Sequence, residues 1–264
     1  MRTEEVVLVG HGRLGSAMAG WLRPRPAIVR HRDWPRFLKQ AGARRPALLI
    51  FAIPDDAIEP AGRELAAARA DWRGWTVLHT SGAVPSAALA GLRRRGAALA
   101  GMHPMMTFPP GRKPSPGGIV VTLEGDAAAC RRAAALVRGW GAVPMVMSAR
   151  QKAAYHLTAT LVGPGAVAQF AAAERILKSA GLSAKDLALA RRGLLQLLTA
   201  TADNLRHGTA AAWTGPFARG DSATVARHWK LLPPSLRAYY AGLVDISLSL
   251  LPSPRGAAVR RQLR

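Results

Sequence analysis

The sequence predicts an α/β fold in which a doubly wound, mostly parallel sheet is followed by an all-helical C-terminal part. Three observations predict this fold: apolar runs alternate with helical patterns, strand patterns stop near residue 148, and a glycine-rich turn directly follows the first apolar run. We therefore expect one domain at residues 1–148 and a helical domain at residues 149–264.

Seven apolar runs are predicted to be strands, because each is short, largely aliphatic and followed by polar or turn residues. They occupy residues 6–9, 27–29, 47–53, 76–79, 97–102, 119–123 and 143–147. In open α/β sheets, ligands bind outside the carboxyl ends of the strands. The segments that contain Pro54, Ser81 and His103 follow three of these strands, so we expect them to lie near a bound ligand.

Helical patterns fill the rest of the chain, at residues 150–181, 183–208, 222–232 and 234–251. Ser183 and Ser222 are predicted N-caps, since a serine hydroxyl accepts hydrogen bonds from the free amides of a first helical turn. Gly181 and Gly208 are predicted helix stops. The apolar faces of these helices predict a homodimer.

A glycine motif joins the first strand to an amphipathic stretch at residues 17–22. Its residues are Gly10, His11, Gly12, Arg13, Leu14 and Gly15. The first glycine permits a tight turn, the second lets backbone amides approach phosphate oxygens, and the third lets the helix pack closely on the strand. The motif predicts a Rossmann domain that binds the pyrophosphate of a dinucleotide at a helix N-terminus. The alternative is a glycine-rich turn without a ligand.

The end of the second predicted strand indicates which dinucleotide is bound. An acidic residue at this place commonly binds the ribose 2′-hydroxyl of NAD. Here the chain has Arg30 and Arg32, whose guanidinium groups suit the 2′-phosphate of NADP. We therefore predict NADP in preference to NAD. Two alternatives stay open: Asp33 contacts the ribose, or the arginines only cover a solvated strand end.

Composition limits the classes of partner. The net charge of +22 and the pI of about 11.8 raise the question of nucleic-acid binding, but the arginines are scattered and no recognition-helix motif is present. We expect no specific nucleic-acid partner. The first apolar run has four residues, too few for a membrane span or a signal peptide, and the single Cys130 excludes an internal disulfide. A cytoplasmic protein without a membrane segment is predicted.

Reduction of a carbonyl by a nicotinamide places negative charge on oxygen, so a cation or proton donor is required there. Lys152 and His156 are the catalytic candidates, because their spacing puts both on one helix face. Lys152 would polarise the carbonyl and His156 would donate or relay a proton. The alternative is a solvated lysine beside a core histidine.

Four further residues are candidates for binding a small substrate. Arg219 lies in a glycine-containing connector and could clamp a carboxylate, although a plain turn is the alternative. His103 either orients the substrate or caps a loop, and His79 is interpreted as a hydrogen-bonded structural residue. Asn204 and Thr214 complete the predicted polar set. No metal site is predicted.

The order of these motifs resembles a family of Rossmann-like oxidoreductases with a helical C-terminal domain of unassigned function. The elements that carry the resemblance are the glycine motif, Pro54-Asp55-Asp56, His79-Thr80-Ser81-Gly82, His103-Pro104, Tyr155-His156, Asp203-Asn204-Leu205 and residues 214–221. The family is similar to a superfamily that contains 6-phosphogluconate, ketopantoate and pyrroline-5-carboxylate dehydrogenases and reductases. The resemblance implies NADP-dependent reduction of a small 2-oxo acid such as ketopantoate, and helical domains that form a dimer.

One segment departs from the family pattern. Several relatives have an asparagine about eight residues after the Tyr-His pair, whereas this chain has Gly163-Pro164-Gly165 nearby. We expect a broken or kinked helix there and a changed specificity or lost activity. Three functions stay open: an NADP-dependent oxidoreductase for a carboxylate-bearing carbonyl or alcohol, a non-catalytic NADP-binding regulator, and, because His103-Pro104-Met105 resembles prephenate dehydrogenases, an enzyme of that type.

Overall fold

The computed structural model of the chain describes residues 5–44 and 47–263. The chain divides into two compact units between Gly163 and Pro164. The sequence had suggested a boundary near residue 148. The later division follows from the packing of the intervening residues, because the side chain of Lys152 is buried within the first unit.

The described part of the first unit forms a seven-stranded sheet in the order β2-β1-β3-β4-β5-β6-β7. The strands are β1 (Val6–Val9), β2 (Ala27–Val29), β3 (Leu48–Phe51), β4 (Thr76–His79), β5 (Ala98–Pro104), β6 (Val120–Gly125) and β7 (Val143–Val146). Neighbouring strands are parallel, except that β5 and β6 are antiparallel. The predicted strands and the doubly wound, mostly parallel sheet are confirmed.

Helices cover both faces of this sheet. They are α1 (Arg13–Trp21), α2 (Trp34–Ala41), α3 (Asp55–Ala67), α4 (Ala90–Arg93) and α5 (Ala127–Gly139). One core contains Leu8 of β1 and Met18 of α1, and the opposite core contains Val7 of β1 and Ile58 of α3. Alternate strand residues thus face opposite layers, which explains why the central strands read as unbroken apolar runs.

Helix α6 (Ala149–Ser179) follows the sheet. The helix is continuous through Gly163, Pro164 and Gly165, so the predicted break is wrong, and the alternative of a kink stays a prediction. A proline inside a helix removes one backbone donor, and the remaining hydrogen bonds on either side are sufficient to continue the helix here.

The second unit contains helices only in its described part. They are the remainder of α6, α7 (Ala184–Leu205), α8 (Thr209–Ala212), α9 (Pro216–Arg219), α10 (Ser222–Leu231), α11 (Pro234–Leu250) and α12 (Gly256–Arg260). Ser183 caps α7 as predicted, since its Oγ accepts a hydrogen bond from the Asp186 amide. The cap of α10 is Asp221 and not Ser222, because the Asp221 carboxylate accepts the Thr224 amide hydrogen bond at 3.0 Å. Across residues 5–44 and 47–263, no helix combines the length and apolar character needed to cross a membrane.

Candidate functional site

The glycine turn between β1 and α1 needs glycine at two places. Gly10 has φ 103°, and a Cβ there would overlap the carbonyl of Ala52, the residue that follows β3. A Cβ on Gly15 would lie 2.6 Å from the Gly10 carbonyl oxygen, so the helix could not approach the turn. A Cβ on Gly12 would meet no atom within 4 Å, which leaves its backbone accessible to a ligand. These differences match the three roles predicted for the glycines.

A cavity of about 1020 Å³ lies beside this turn. β1 pairs with β2 on one side and with β3 on the other, so the chain order reverses at this point of the sheet, where α/β proteins bind their ligands. The residues that line this cavity include Gly10, His11, Gly12, Arg13, Leu14, Arg30, His31, Trp34, Pro54, Glu64 and Thr80. The structure therefore brings the predicted glycine motif, Arg30 and Pro54 together. Gly15 lies buried behind the turn.

The two predicted phosphate arginines differ in position. Arg30 follows β2 and lines the cavity together with His31. Arg32 does not belong to the lining residues, its side chain is 77% exposed, and its Nε lies 3.9 Å from the Asp33 carboxylate. Only Arg30 of this pair is positioned at the cavity.

The sequence reasoning missed Trp34 and Glu64, which lie in the same cavity. The Trp34 Nε1 donates a hydrogen bond of 2.6 Å to the Glu64 carboxylate, and its ring stacks on Phe37 with an interplanar angle of 16°. A signal for Glu64 was present, because Ala57, Pro60, Ala61 and Glu64 recur at helical spacing along one face of α3.

Ser81 has a structural position. Its Oγ accepts hydrogen bonds from the Ala83 and Val84 amides at 3.1 and 2.9 Å. The residue that lines the cavity from this turn is Thr80. Ser81 therefore holds the turn that presents Thr80, and its predicted contact with the cofactor stays untested.

A second group of polar residues lies at the ends of β4 and β5 and on α6. The rings of His103 and His156 are 5.7 Å apart in an edge-to-face arrangement. Gly82 lies against both rings, since a Cβ there would overlap His156 and lie 3.0 Å from the His103 Cε1. Burial, helped by the positive charges of His156 and Lys152, lowers the pKa of His103 to about 4. His103 is therefore a neutral imidazole near pH 7 and can donate or accept a hydrogen bond.

Lys152 lies beneath this group with 2% of its surface exposed. Its Nζ donates a hydrogen bond of 2.5 Å to the Val84 carbonyl and lies 3.7 Å from the Glu124 carboxylate. Burial lowers the pKa of the Lys152 ammonium, and the Glu124 charge opposes this effect. The ammonium is buried and contacts protein groups, so the alternative of a solvated lysine is wrong, and the predicted polarisation of a carbonyl by Lys152 stays a prediction.

His79 is completely buried at the end of β4. Neither ring nitrogen has a hydrogen bond of ordinary geometry among the described residues, in contrast to the hydrogen-bonded role expected from the sequence. Burial and the nearby Lys152 charge lower the pKa of His79 to about 3, and the Pro85 backbone offsets only part of this effect. The imidazole is neutral at physiological pH.

The other predicted substrate residues lie in the second unit. Asn204 is exposed near the end of α7, and Thr214 and Arg219 are exposed around α9. The segment is not a plain turn: Pro216–Arg219 is helical, and Gly215 and Gly220 have φ values of 91° and 69°. A side chain at residue 220 would also collide with Arg255. The exposed guanidinium of Arg219 is thus held on a well-defined short helix.

The fold is of the Rossmann type, and family comparisons match both parts of the chain. Residues 23–104 match the family described as "Rossmann-like domain", and residues 119–246 match "Domain of unknown function (DUF2520)". The two matches follow one another in the order expected from the motifs, which confirms the family resemblance. No curated protein sequence matches this chain.

Solved structures resemble the chain over nearly its whole length. A putative NADP oxidoreductase from Bacteroides fragilis has a TM-score of 0.72 at 18% identity and covers 98% of each chain. A Thermotoga maritima protein has a TM-score of 0.67 at 22% identity, covering 98% of this chain and 100% of its own. A reductive aminase from Aspergillus terreus was solved with NADPH and ethyl-5-oxohexanoate. It has a TM-score of 0.65 at 19% identity, and the match covers 96% of this chain and 95% of the aminase chain. At 18–22% sequence identity, the structural similarity shows a shared fold and nothing further.

Proposed function

We propose that this protein is an NADP-dependent oxidoreductase that acts on a small substrate with a carbonyl, imine or alcohol group. The observation that carries the proposal is the cavity at the reversal point of the sheet, which joins the glycine turn to Arg30. Similar folds in the Bacteroides fragilis oxidoreductase and the NADPH-bound Aspergillus terreus aminase support it. The aminase adds the imine to the candidate substrates.

The residues of the cavity fit NADP. Gly12 leaves open space for phosphate oxygens, and the amides that begin α1 offer unpaired donors to a pyrophosphate. Arg30 supplies a guanidinium for the 2′-phosphate, and Trp34 offers an aromatic edge to the adenosine end. When bound, NADPH would supply the hydride.

His156 is the proposed proton donor of the reaction. Its ring is partly exposed and pairs edge-to-face with His103, so an imidazole nitrogen of His156 can deliver a proton to the oxygen or nitrogen of the reduced group. The neutral His103 imidazole would orient the substrate through a hydrogen bond. Asn204, Thr214 and Arg219 remain the proposed substrate residues, and a carboxylate-bearing 2-oxo acid such as ketopantoate remains the proposed substrate class.

Two variants test the cofactor assignment. Removing one charged hydrogen bond costs about 1.5–3 kcal/mol, so Arg30→Ala should weaken NADPH binding by about 10- to 100-fold and leave NADH binding nearly unchanged. Arg32→Ala is the matched control, because it removes an equal charge outside the cavity. Quenching of tryptophan fluorescence measures both affinities. Equal losses in the two variants, or no NADPH binding by the wild type, would contradict the proposal.

A turnover screen separates an enzyme from a regulator. Ketopantoate, other 2-oxo acids, prephenate and cyclic imines would be tested with NADPH or NADP⁺. We expect oxidation of NADPH with at least one carbonyl or imine. Saturable NADPH binding without turnover across the panel would favour the non-catalytic regulator, and turnover confined to prephenate would favour the prephenate-dehydrogenase-like enzyme.

We also propose a homodimer in the cytoplasm. Large apolar side chains are exposed on the helices, and on α6 they are Leu157, Leu161, Val162 and Val167 with exposures of 61, 66, 74 and 71%. Extended apolar surface of this kind is typical of protein contacts. A second copy of the chain is the proposed occupant, and sedimentation equilibrium tests it: a monomer at micromolar concentration would exclude the dimer.

A further inference from the structure

Three neighbouring strands place a histidine, a glycine and a glutamate in one row. His79 of β4 is in register with Gly101 of β5, and Gly101 is in register with Glu124 of β6. Side chains in register project from the same face of a sheet. Because Gly101 has no side chain, a gap remains between the imidazole and the carboxylate.

Lys152 fills this gap from helix α6. A Cβ on Gly101 would overlap the Lys152 Nζ and would lie 3.1 Å from the His79 Cε1. The ammonium donates to the Val84 carbonyl at 2.5 Å and faces the Glu124 carboxylate at 3.7 Å. Both charged side chains are more than nine-tenths buried. Gly101 is therefore required for the lysine to reach its partner.

The ion pair is tied to the segment between β4 and α4. Glu124 accepts hydrogen bonds from the amide and hydroxyl of Ser86 at 2.8 and 2.7 Å. The Lys152 ammonium donates a hydrogen bond to the carbonyl of Val84, which belongs to the same segment. At the start of the segment, Gly82 is the surface against which the His103 and His156 rings lie.

We propose that Lys152 and Glu124 are positioning residues: their buried ion pair over Gly101 fixes segment 81–86 and thereby sets the positions of His103 and His156. The structural part of this proposal is independent of the proposed function. Only the statement that His103 and His156 lie at the reacting group of the substrate rests on the proposed function. It gives Lys152 a role that does not need contact with substrate.

The ammonium also acts on the histidines electrostatically. Its charge adds to burial in lowering the pKa of His103, together with the charge of His156, while Asp55 of α3 acts in the opposite direction. The groups that face His103 are thus His156 and Lys152 of α6 and Asp55 of α3. Removing the ammonium should raise the pH at which His103 titrates.

Three variants test the positioning role: Lys152→Met, Glu124→Gln and the double variant. Loss of one partner leaves the other charge buried and unpaired, so Lys152→Met should raise the unfolding equilibrium constant by roughly 100- to 1000-fold in urea titrations. Neutral residues at both positions should restore stability to within about 10-fold of the wild type. Lys113→Met, which removes an exposed ammonium, is the matched control and should change neither stability nor titration.

Histidine NMR supplies two readouts: the titration of His103 reports loss of the nearby charge, and the contacts between His103 and His156 report the ring positions, which a merely stabilising pair would not move. In the folded double variant, the His103 resonance, assigned with His103→Gln, should titrate at a higher pH than in the wild type, and the contacts between His103 and His156 should weaken. A double variant with wild-type titration and contacts, or a Lys152→Met protein as stable as the wild type, would overturn the proposal. These measurements use no cofactor, so failure of NADPH binding would count against the proposed function alone.

Discussion

Gly82 and His156 are in such close contact that no side chain fits between them. The glycine belongs to the turn after β4, the histidine belongs to α6, and a Cβ on residue 82 would overlap the imidazole Cδ2. The same Cβ would lie 3.0 Å from the His103 ring. Both imidazole rings therefore pack against the backbone of the turn at Gly82.

Gly82→Ala tests whether the packing of the two imidazole rings against Gly82 matters for activity. The added methyl group would displace a flexible imidazole and not a backbone atom, so we expect a stability loss of about 1–3 kcal/mol and a larger effect on catalysis. Turnover of the substrate found in the screen should fall at least about 10-fold, because small displacements of a catalytic group are costly. Gly20→Ala is the control: a Cβ there meets no atom within 4 Å, so turnover should persist and the helix should gain about 0.5–1 kcal/mol. Unchanged turnover in Gly82→Ala would exclude His156 as the proton donor.

The fold could be predicted from sequence because its signals are local. Each strand is a short apolar run followed by turn residues, and the glycine motif fixes the first strand, turn and helix as one unit. The observed N-cap of α10, Asp221, lies one residue before the predicted cap, Ser222. Aspartate and serine are both suitable N-cap residues, so the backbone geometry decides between them. The continuity of α6 through Pro164 depends on the surrounding helix and has no local signal.

The candidate site could be predicted only in part, because side-chain direction depends on tertiary contacts. Arg30 and Arg32 are equivalent in the sequence, yet a short 3-10 turn at His31–Asp33 leaves only Arg30 at the cavity. The spacing of Lys152 and His156 correctly predicts a shared helix face. It could not reveal that Glu124, remote in sequence, holds the lysine in the protein interior.

The burial of His79 predicts a stability that falls with acidification. Its folded-state pKa of about 3 lies below the ordinary value of 6.5, so the unfolded chain binds the proton more readily between these values. The contribution of His79 is present above pH 6.5 and is lost as the pH falls toward 3. At about 1.4 kcal/mol per pH unit, His79 should account for roughly 2 kcal/mol of the stability lost between pH 7 and pH 5.

Urea unfolding at several pH values measures this contribution. His79→Gln should reduce the loss between pH 7 and pH 5, and the remaining loss should come in part from His103, whose pKa is also lowered. The exposed His11→Gln is the control and should keep the pH dependence of the wild type. An identical pH dependence in His79→Gln and the wild type would contradict the buried, neutral state of this imidazole.

Arg219 gives the sharpest test of a carboxylate-bearing substrate. Its guanidinium is exposed at the end of α9, a short helix that begins after Gly215 and is followed by Gly220, whose φ is 69°. If it binds a carboxylate through two parallel hydrogen bonds, Arg219→Lys should raise KM for a 2-oxo acid because lysine keeps the charge but loses the planar fork. Arg219→Ala should raise KM further, by about 10- to 100-fold, with the NADPH affinity unchanged.

The matched control is Arg206→Ala, which removes an exposed arginine paired with Asp203. The decisive comparison uses a 2-oxo acid and its uncharged ester: a substrate carboxylate bound by Arg219 makes the penalty large for the acid and small for the ester, whereas equal penalties would remove Arg219 from the substrate site.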